Sequence, residues 1–166
     1  MTPNPASIRG VTAIRLLEWI LVTAVVLLLL LDFNQHMRML QGNTERVTVQ
    51  TTLGALRTAL VIDYVQHSAA AGKKPASAQQ HNPFELLERP PDNYLGPMSA
   101  QQAASAAPGH WMFDPDCVCV GYTPDHPQAF ESPSGSPMLW YTVHGDGGPL
   151  QLSALEAYRW QGQSLE

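Results

Sequence analysis

Charged residues are scarce in this chain, and basic residues are scarcer still. Lys and Arg together number 9 and Asp and Glu number 14 among 166 residues, which gives a formal net charge of -5. Charged residues make up 14% of the chain, whereas about a quarter is usual in a soluble domain. The longest basic run is Lys73-Lys74. Because nucleic-acid binding needs a basic surface to offset phosphate charge, these counts argue against nucleic acid as a partner.

Cysteine is almost absent. The two cysteines, Cys117 and Cys119, are separated by one residue. In a β-strand their side chains would point to the same face about 6.5–7 Å apart, which is beyond easy disulfide reach. The spacing therefore favours two small, half-buried side chains, with a strained disulfide as the alternative in an oxidising compartment.

Residue patterns that bind metals or catalyse reactions are also missing. The six histidines lack metal-ligand spacing; they are His36, His67, His81, His110, His126 and His144. A zinc ion bound by Cys117, Cys119 and His126 together with His144 or His110 is an alternative. Calcium is another, although turn formation explains the aspartates equally well; they are Asp114, Asp116, Asp125 and Asp146. The serines at 132, 134 and 136 lack a nucleophile elbow. We therefore expect no catalytic residue, no cofactor and no metal site.

Apolar residues are concentrated in one block near the N-terminus. Residues 11–31 read VTAIRLLEWILVTAVVLLLLL, which is about the length that crosses a bilayer core as a helix. Arg15 and Glu18 lie within it three residues apart, so that they share one helix face and can neutralise each other. Because Arg9 precedes the block and basic residues prefer the cytoplasm, we expect a cytoplasmic N-terminus and a periplasmic body. No small-x-small cleavage site follows the block, so the apolar helix should stay attached.

The helix is predicted to continue through residues 32–72 as an amphipathic segment. Its apolar stripe has spacings of four, three, four and four; the residues are Val49, Leu53, Leu56, Leu60 and Tyr64. Gly42-Asn43 is a point where the helix can bend or break. Gly72 and the following Pro75 supply stop signals.

Residues 73–166 predict a turn-rich, β-rich periplasmic domain. Asn82 and Pro83 begin a short capped helix. Strands are expected at 110–113, 117–122, 138–143 and 157–160, and a fifth short segment, 150–152, is a further candidate. Asp114-Pro115-Asp116 should join the first two as a hairpin, and 124–137 should be a long loop. The predicted fold class is α+β, in which a long N-terminal transmembrane helix packs on a small antiparallel β-sheet of three to five strands.

The junction Ile8-Arg9-Gly10-Val11-Thr12-Ala13-Ile14-Arg15-Leu16-Leu17 resembles that of type IV pilins and type II secretion pseudopilins. In that family a short basic leader ends in glycine, and an apolar residue and then threonine begin the mature helix. The resemblance implies a pilin-like fold, a leader at residues 1–10, cleavage after Gly10 by a prepilin peptidase, and N-methylation of Val11. It also implies assembly through the N-terminal helix with other pilin-like subunits, first in the inner membrane and then in a filament.

The chain departs from the family at Arg15, where the family usually has a glutamate that neutralises the free amine of a neighbouring subunit. Glu18 follows one helical turn later. This departure favours a minor or tip subunit of a pilus or secretion filament over a major pilin. Arg15 and Glu18 either pair with each other or act in assembly, with Glu18 facing a cationic group of a neighbour. The alternative function is an uncleaved single-pass membrane protein with a periplasmic protein-interaction domain. The two functions predict the same helix, orientation and body, and they differ only in whether the residues around Gly10 are a cleavage site.

Overall fold

The computed structural model describes residues 5–71, 82–145 and 148–165. The architecture is α+β, with a long apolar N-terminal helix and a mostly antiparallel sheet, so the coarse fold prediction is confirmed. The chain divides into two compact units, one ending at Leu40 and the other beginning at Gln41.

Helix α1 spans Pro5–Ala71 and is helical through Gly42-Asn43, so it does not break there. Gly42 has a different role, because it lies where the helix passes close to the body. A Cβ atom at this position would lie 2.5 Å from Gln161 Nε2 and 3.2 Å from the Cβ of Ala129. The Gly42 carbonyl also accepts a hydrogen bond from Trp160 Nε1 at 2.9 Å. The glycine thus permits a close approach and does not interrupt the helix.

The main sheet has five strands in the order β1-β2-β3-β5-β6. Its strands are β1 (Tyr94–Pro97), β2 (His110–Asp114), β3 (Cys119–Thr123), β5 (Leu139–His144) and β6 (Gln151–Ala154). Strands β2, β3, β5 and β6 pair antiparallel, whereas β1 pairs parallel with β2. A second, three-stranded sheet has the order β4-β7-β8; its strands are β4 (Phe130–Glu131), β7 (Arg159–Trp160) and β8 (Gln163–Ser164). A short helix, α2, spans Ala100–Ala103 and packs beside the main sheet.

Several strand predictions need correction. The predicted β2–β3 hairpin is present, but β3 begins at Cys119 and not at 117, because Val118 adopts a left-handed φ of 55° in the turn. The candidate fifth strand at 150–152 corresponds to β6, Gln151–Ala154, at the edge of the main sheet. The region predicted as one long loop, 124–137, contains β4. Only Arg159–Trp160 of the strand predicted at 157–160 is extended, and it belongs to the second sheet. Strands of two residues are too short to show the alternation of apolar and polar residues by which a strand is recognised in a sequence.

The core lies between the C-terminal half of α1 and the main sheet. Val49, Leu53, Leu56 and Leu60 are 0–1% exposed and pack in one cluster with aromatic side chains of the strands. The predicted stripe is therefore confirmed at these four positions, each of which stabilises the body by roughly 1.5–3 kcal/mol. Tyr64, the fifth member, is only half-buried.

The predicted cap at Asn82 is also present. Its side-chain oxygen accepts the backbone N–H of Phe84 at 3.1 Å and begins a one-turn 3-10 helix, Pro83–Leu86. The Phe84 ring stacks on Tyr94 with 4.0 Å between the ring centroids. The cap thus fixes an aromatic side chain against β1 at the edge of the core.

Candidate functional site: the exposed faces of helix α1

In the first unit, α1 exposes its apolar side chains on every side. The large apolar residues between 16 and 33 are 47–71% exposed. The stretch Arg15–His67 contains a window that is long and apolar enough to cross a membrane, and no residue of that window is buried. The hydroxyl of Thr23 donates to the Trp19 carbonyl at 2.7 Å, so this polar group is satisfied within the helix. Such internal pairing is what a lipid environment requires of a hydroxyl.

Arg15 and Glu18 are both exposed. Among the side chains that the structure describes, these two do not form an ion pair with each other, although they lie three residues apart on the helix. Gly10 and Val11 lie within α1, and the surroundings of both residues are outside the described part. Cleavage after Gly10 and methylation of Val11 therefore stay predictions.

In the second unit, the exposed side of α1 has no charge. From 41 to 66 every exposed residue is uncharged; these residues are Gln41, Asn43, Thr44, Val47, Thr48, Thr51, Ala55, Thr58, Val61, Ile62, Val65 and Gln66. We call this set the uncharged face. Its four large apolar side chains, at 47, 61, 62 and 65, are 47–60% exposed. A helix that packs on a domain and faces water normally has charged residues on its outer side.

Three of the four charged residues between 41 and 66 contact the body. Arg46 Nη1 donates to Gln163 Oε1, and Arg57 Nε donates to the Leu152 carbonyl at 3.4 Å. Both arginines are half-buried. Asp63 is half-buried as well, but its carboxylate lies 3.1 Å from Nδ1 of the exposed His67, one turn later on the same helix. The fourth charge, Glu45, is held by the loop after β3. The uncharged face is therefore produced by the placement of the few charges and not only by their scarcity.

Three of the four hydroxyl groups of the uncharged face are paired inside the helix. Thr48, Thr51 and Thr58 each donate to the carbonyl four residues earlier, at 3.0, 2.8 and 2.8 Å. Because the hydroxyls are paired, this face can lose its water without leaving these donors unsatisfied.

Gly54 adds a gap, since a Cβ atom there would meet nothing within 4 Å. Small residues at four-residue spacing, such as Gly54 and Thr58, permit close approach of another helix.

Glu45 forms a polar cluster that the sequence analysis missed. Its carboxylate accepts hydrogen bonds from the Tyr122 hydroxyl at 2.9 Å, the Asp125 N–H at 2.6 Å, the His126 N–H at 3.0 Å and His126 Nδ1 at 2.7 Å. The Glu45 side chain is 9% exposed. Burial, together with the charge of Glu45, raises the pKa of Tyr122 far above its usual range, so that its hydroxyl stays a donor. The sequence signal for this cluster was an acid one turn before Val49, on the buried side of the helix.

The candidate metal and catalytic residues have structural partners. Among the described residues, no group of three or more His, Cys, Asp or Glu side chains is placed to hold a metal ion. Asp114 accepts the N–H of Asp116 at 2.9 Å and so stabilises the hairpin turn. Ser132 donates to Glu156 at 2.6 Å, and such hydrogen bonds lower the pKa of that carboxyl. His81 and Asp146 lie outside the described residues.

The cysteines differ from the favoured expectation. Cys117 and Cys119 are joined by a disulfide, with their Cα atoms 5.2 Å apart. The expectation of two separate thiols assumed an extended strand through both residues. The left-handed conformation of Val118 instead shortens the distance between them.

No family model, curated protein or solved structure matches this chain. Function is therefore inferred from the leader-junction residues and from the exposed faces of α1.

Proposed function

We propose that this protein is a structural subunit of a type IV pilus or type II secretion filament, of the minor pilin or pseudopilin type, and that it assembles through α1. The observation that carries this proposal is the uncharged face. A helix face that carries exposed valines, an isoleucine and internally paired threonines, but no exposed charge from residue 41 to residue 66, is suited to contact with other helices.

The apolar segment supplies the second part of the proposal. Before assembly it anchors the subunit in the inner membrane, with the N-terminus in the cytoplasm and the body in the periplasm, as Arg9 indicates. A prepilin peptidase removes residues 1–10, and Val11 becomes the methylated N-terminus of the mature subunit. The anchor then leaves lipid and packs against the helices of neighbouring subunits.

The energetics of such assembly depend on packing. The apolar side chains of the anchor are already out of water in the bilayer, so the hydrophobic effect supplies little net free energy when they move into a filament. Most of the free energy of assembly must therefore come from close packing of the helices and from polar groups that pair across the contact. Gly54 and the paired threonines of the uncharged face provide surfaces of that kind.

The N-terminal peptide of the mature protein tests the processing step. In membranes that contain an active prepilin peptidase, we expect mass spectrometry to find a peptide that begins with N-methylated Val11. Gly10→Ala should accumulate uncut, whereas Gly54→Ala, a matched glycine outside the junction, should be cut normally. An intact Met1 in the wild-type protein would contradict the proposal and support the uncleaved single-pass protein.

The uncharged face is tested by site-specific photo-crosslinking in cells. A crosslinking amino acid at Val61 should capture other filament subunits, whereas the same group at Gln101, an exposed residue of α2, should not. Val61→Lys should reduce incorporation into filaments at least about tenfold, because a charge would have to be desolvated at the contact. Gln101→Lys is the control. Equal capture from the two positions would show that the uncharged face has no special role.

Arg15 and Glu18 allow a separate test of assembly. Because they do not pair with each other, we propose that Glu18 faces a cationic group of a neighbouring subunit. Changing both residues to Leu removes two costly charges from the anchor and should preserve membrane insertion. The double variant should nevertheless lose crosslinking to its partners. Crosslinking at the wild-type level would show that Glu18 has no intersubunit role.

A further inference from the structure

The turn between β2 and β3 contains a disulfide whose two sulfur atoms have different surroundings. Cys117 is exposed in the turn, whereas Cys119 is the first residue of β3 and is 2% exposed. An external thiol can therefore reach the bond only from the side of Cys117. The bond encloses one intervening residue, Val118, so it constrains very little of the unfolded chain and adds little stability by that route.

Val118 is held in an unfavourable backbone conformation. Its φ of 55° is in the left-handed region, which β-branched residues rarely adopt. Two features hold it there. The disulfide links its two neighbours, and its carbonyl accepts the N–H of Val143 in β5 at 3.0 Å. Breaking the disulfide removes one of these restraints and allows the turn to relax.

We propose that the Cys117–Cys119 disulfide is a thiol-exchange site for small external thiols, a role that does not depend on the proposed filament function. An external thiolate forms a new bond to Cys117 Sγ, the bond between the two cysteines breaks, and Cys119 leaves as a thiolate that takes up a proton. A second thiol then attacks the external sulfur of this mixed disulfide. It releases a small-molecule disulfide and leaves Cys117 as a thiol, so two thiols have passed two electrons to the pair.

The conformation of Val118 links this chemistry to the fold. A disulfide that holds a strained backbone is easier to reduce than an unstrained one, because reduction releases the strain. Once the disulfide is reduced, Val118 is restrained less, and its hydrogen bond with Val143 becomes weaker. That hydrogen bond connects the hairpin turn to the neighbouring strand. Reduction and oxidation would thus loosen and tighten this end of the main sheet.

The test uses the full-length protein in detergent, equilibrated with glutathione and its disulfide at a series of ratios. After acid quenching, free thiols are alkylated and the peptide that contains both cysteines is analysed by mass spectrometry. We expect a reversible transition to the dithiol while the body stays folded, with glutathione found on Cys117 as the mixed disulfide. Cys119→Ser should accumulate that mixed disulfide, and Cys117→Ser should not form it.

Val118→Gly is the variant that separates exchange driven by backbone strain from an ordinary disulfide. Glycine adopts the left-handed conformation freely, so the glycine turn should shift the exchange equilibrium about fivefold or more toward the disulfide. The proposal is overturned if the wild-type bond never forms, if it is reduced only when the body unfolds, if glutathione attaches to Cys119, or if Val118→Gly leaves the equilibrium unchanged.

Discussion

Helix α1 uses similar residues in two different ways. Between 16 and 33 its large apolar side chains are all exposed, whereas between 49 and 60 four of them are fully buried against the sheet. The first region has no polar side, so no rotation of the helix about its axis would remove its apolar side chains from water. The second region has a regular stripe, so one orientation buries the apolar residues of that stripe. Apolar residues surround the first region and form only a stripe in the second, so the first could span a membrane and the second packs on a sheet.

The second region also differs from an ordinary core helix on its outer side. Between 41 and 66 its four charged residues are half-buried, three of them contact the body, and the exposed residues carry no charge. The apolar inner stripe of this helix packs on the sheet of its own chain. Its uncharged outer face is suited to contact with a second protein surface. Four pairs of measurements test this comparison, from the largest expected effect to the smallest.

The largest effect should come from matched leucines in the two regions. Leu53→Ala should lower the free energy of unfolding of the body by about 2–5 kcal/mol, because it leaves a cavity at a fully buried position. Leu27→Ala removes the same atoms from the exposed apolar segment and should change the free energy of unfolding of the body by less than about 0.5 kcal/mol. Urea unfolding in detergent, followed by near-UV circular dichroism, measures both. An equal loss in the two variants would show that the regions are not energetically distinct.

Two glutamates of α1 provide the second pair. Glu45→Gln replaces a carboxylate that accepts four hydrogen bonds and should destabilise the body by about 1–3 kcal/mol. Glu18→Gln, in the exposed apolar segment, should leave the unfolding of the body unchanged. The same denaturation assay applies. Wild-type stability in Glu45→Gln would mean that the cluster contributes nothing to holding the helix.

Two glycines of α1 provide a smaller test. Gly54→Ala should stabilise the body by about 0.5–1 kcal/mol, because the new methyl group meets nothing and alanine favours the helix. Gly42→Ala gains the same propensity, but its methyl group would crowd Ala129 and the end of the Gln161 side chain. Overpacking of this kind costs about 1–3 kcal/mol, so we expect a net loss of about 1 kcal/mol. Thermal unfolding of the two variants should therefore shift in opposite directions.

The smallest expected effect is a pH dependence of the stability of the body, which comes from Glu156. Hydrogen bonds from Ser132 and Ser134 lower the pKa of Glu156 below its ordinary value of 4.5. Because the folded-state pKa is the lower one, this contribution to stability is present above pH 4.5 and is lost as the pH falls through the folded pKa. Ser132→Ala should raise the Glu156 pKa in an NMR titration of the carboxyl group. Glu18→Gln should leave that titration unchanged, and an equal change in both would contradict the assignment.

The features that were predicted correctly depend on residues close together in the sequence. The apolar block, the buried stripe, the Asn82 cap and the β2–β3 hairpin each follow from periodicity or turn chemistry within a few positions. The strand limits were less accurate, because one left-handed residue, Val118, moved the start of β3 by two positions. Cleavage at Gly10 and the roles of Arg15 and Glu18 remain predictions.

Tertiary structure decided the features that join distant parts of the chain. The Glu45 carboxylate meets Tyr122 across 77 positions, and the Gly42 carbonyl meets Trp160 across 118. The parallel pairing of β1 with β2 and the second sheet belong to the same class. Periodicity shows which side of a helix or strand is buried, because that depends on the geometry of one element. Which residue meets it there depends on the packing of several elements together, and no local pattern in the sequence records that packing.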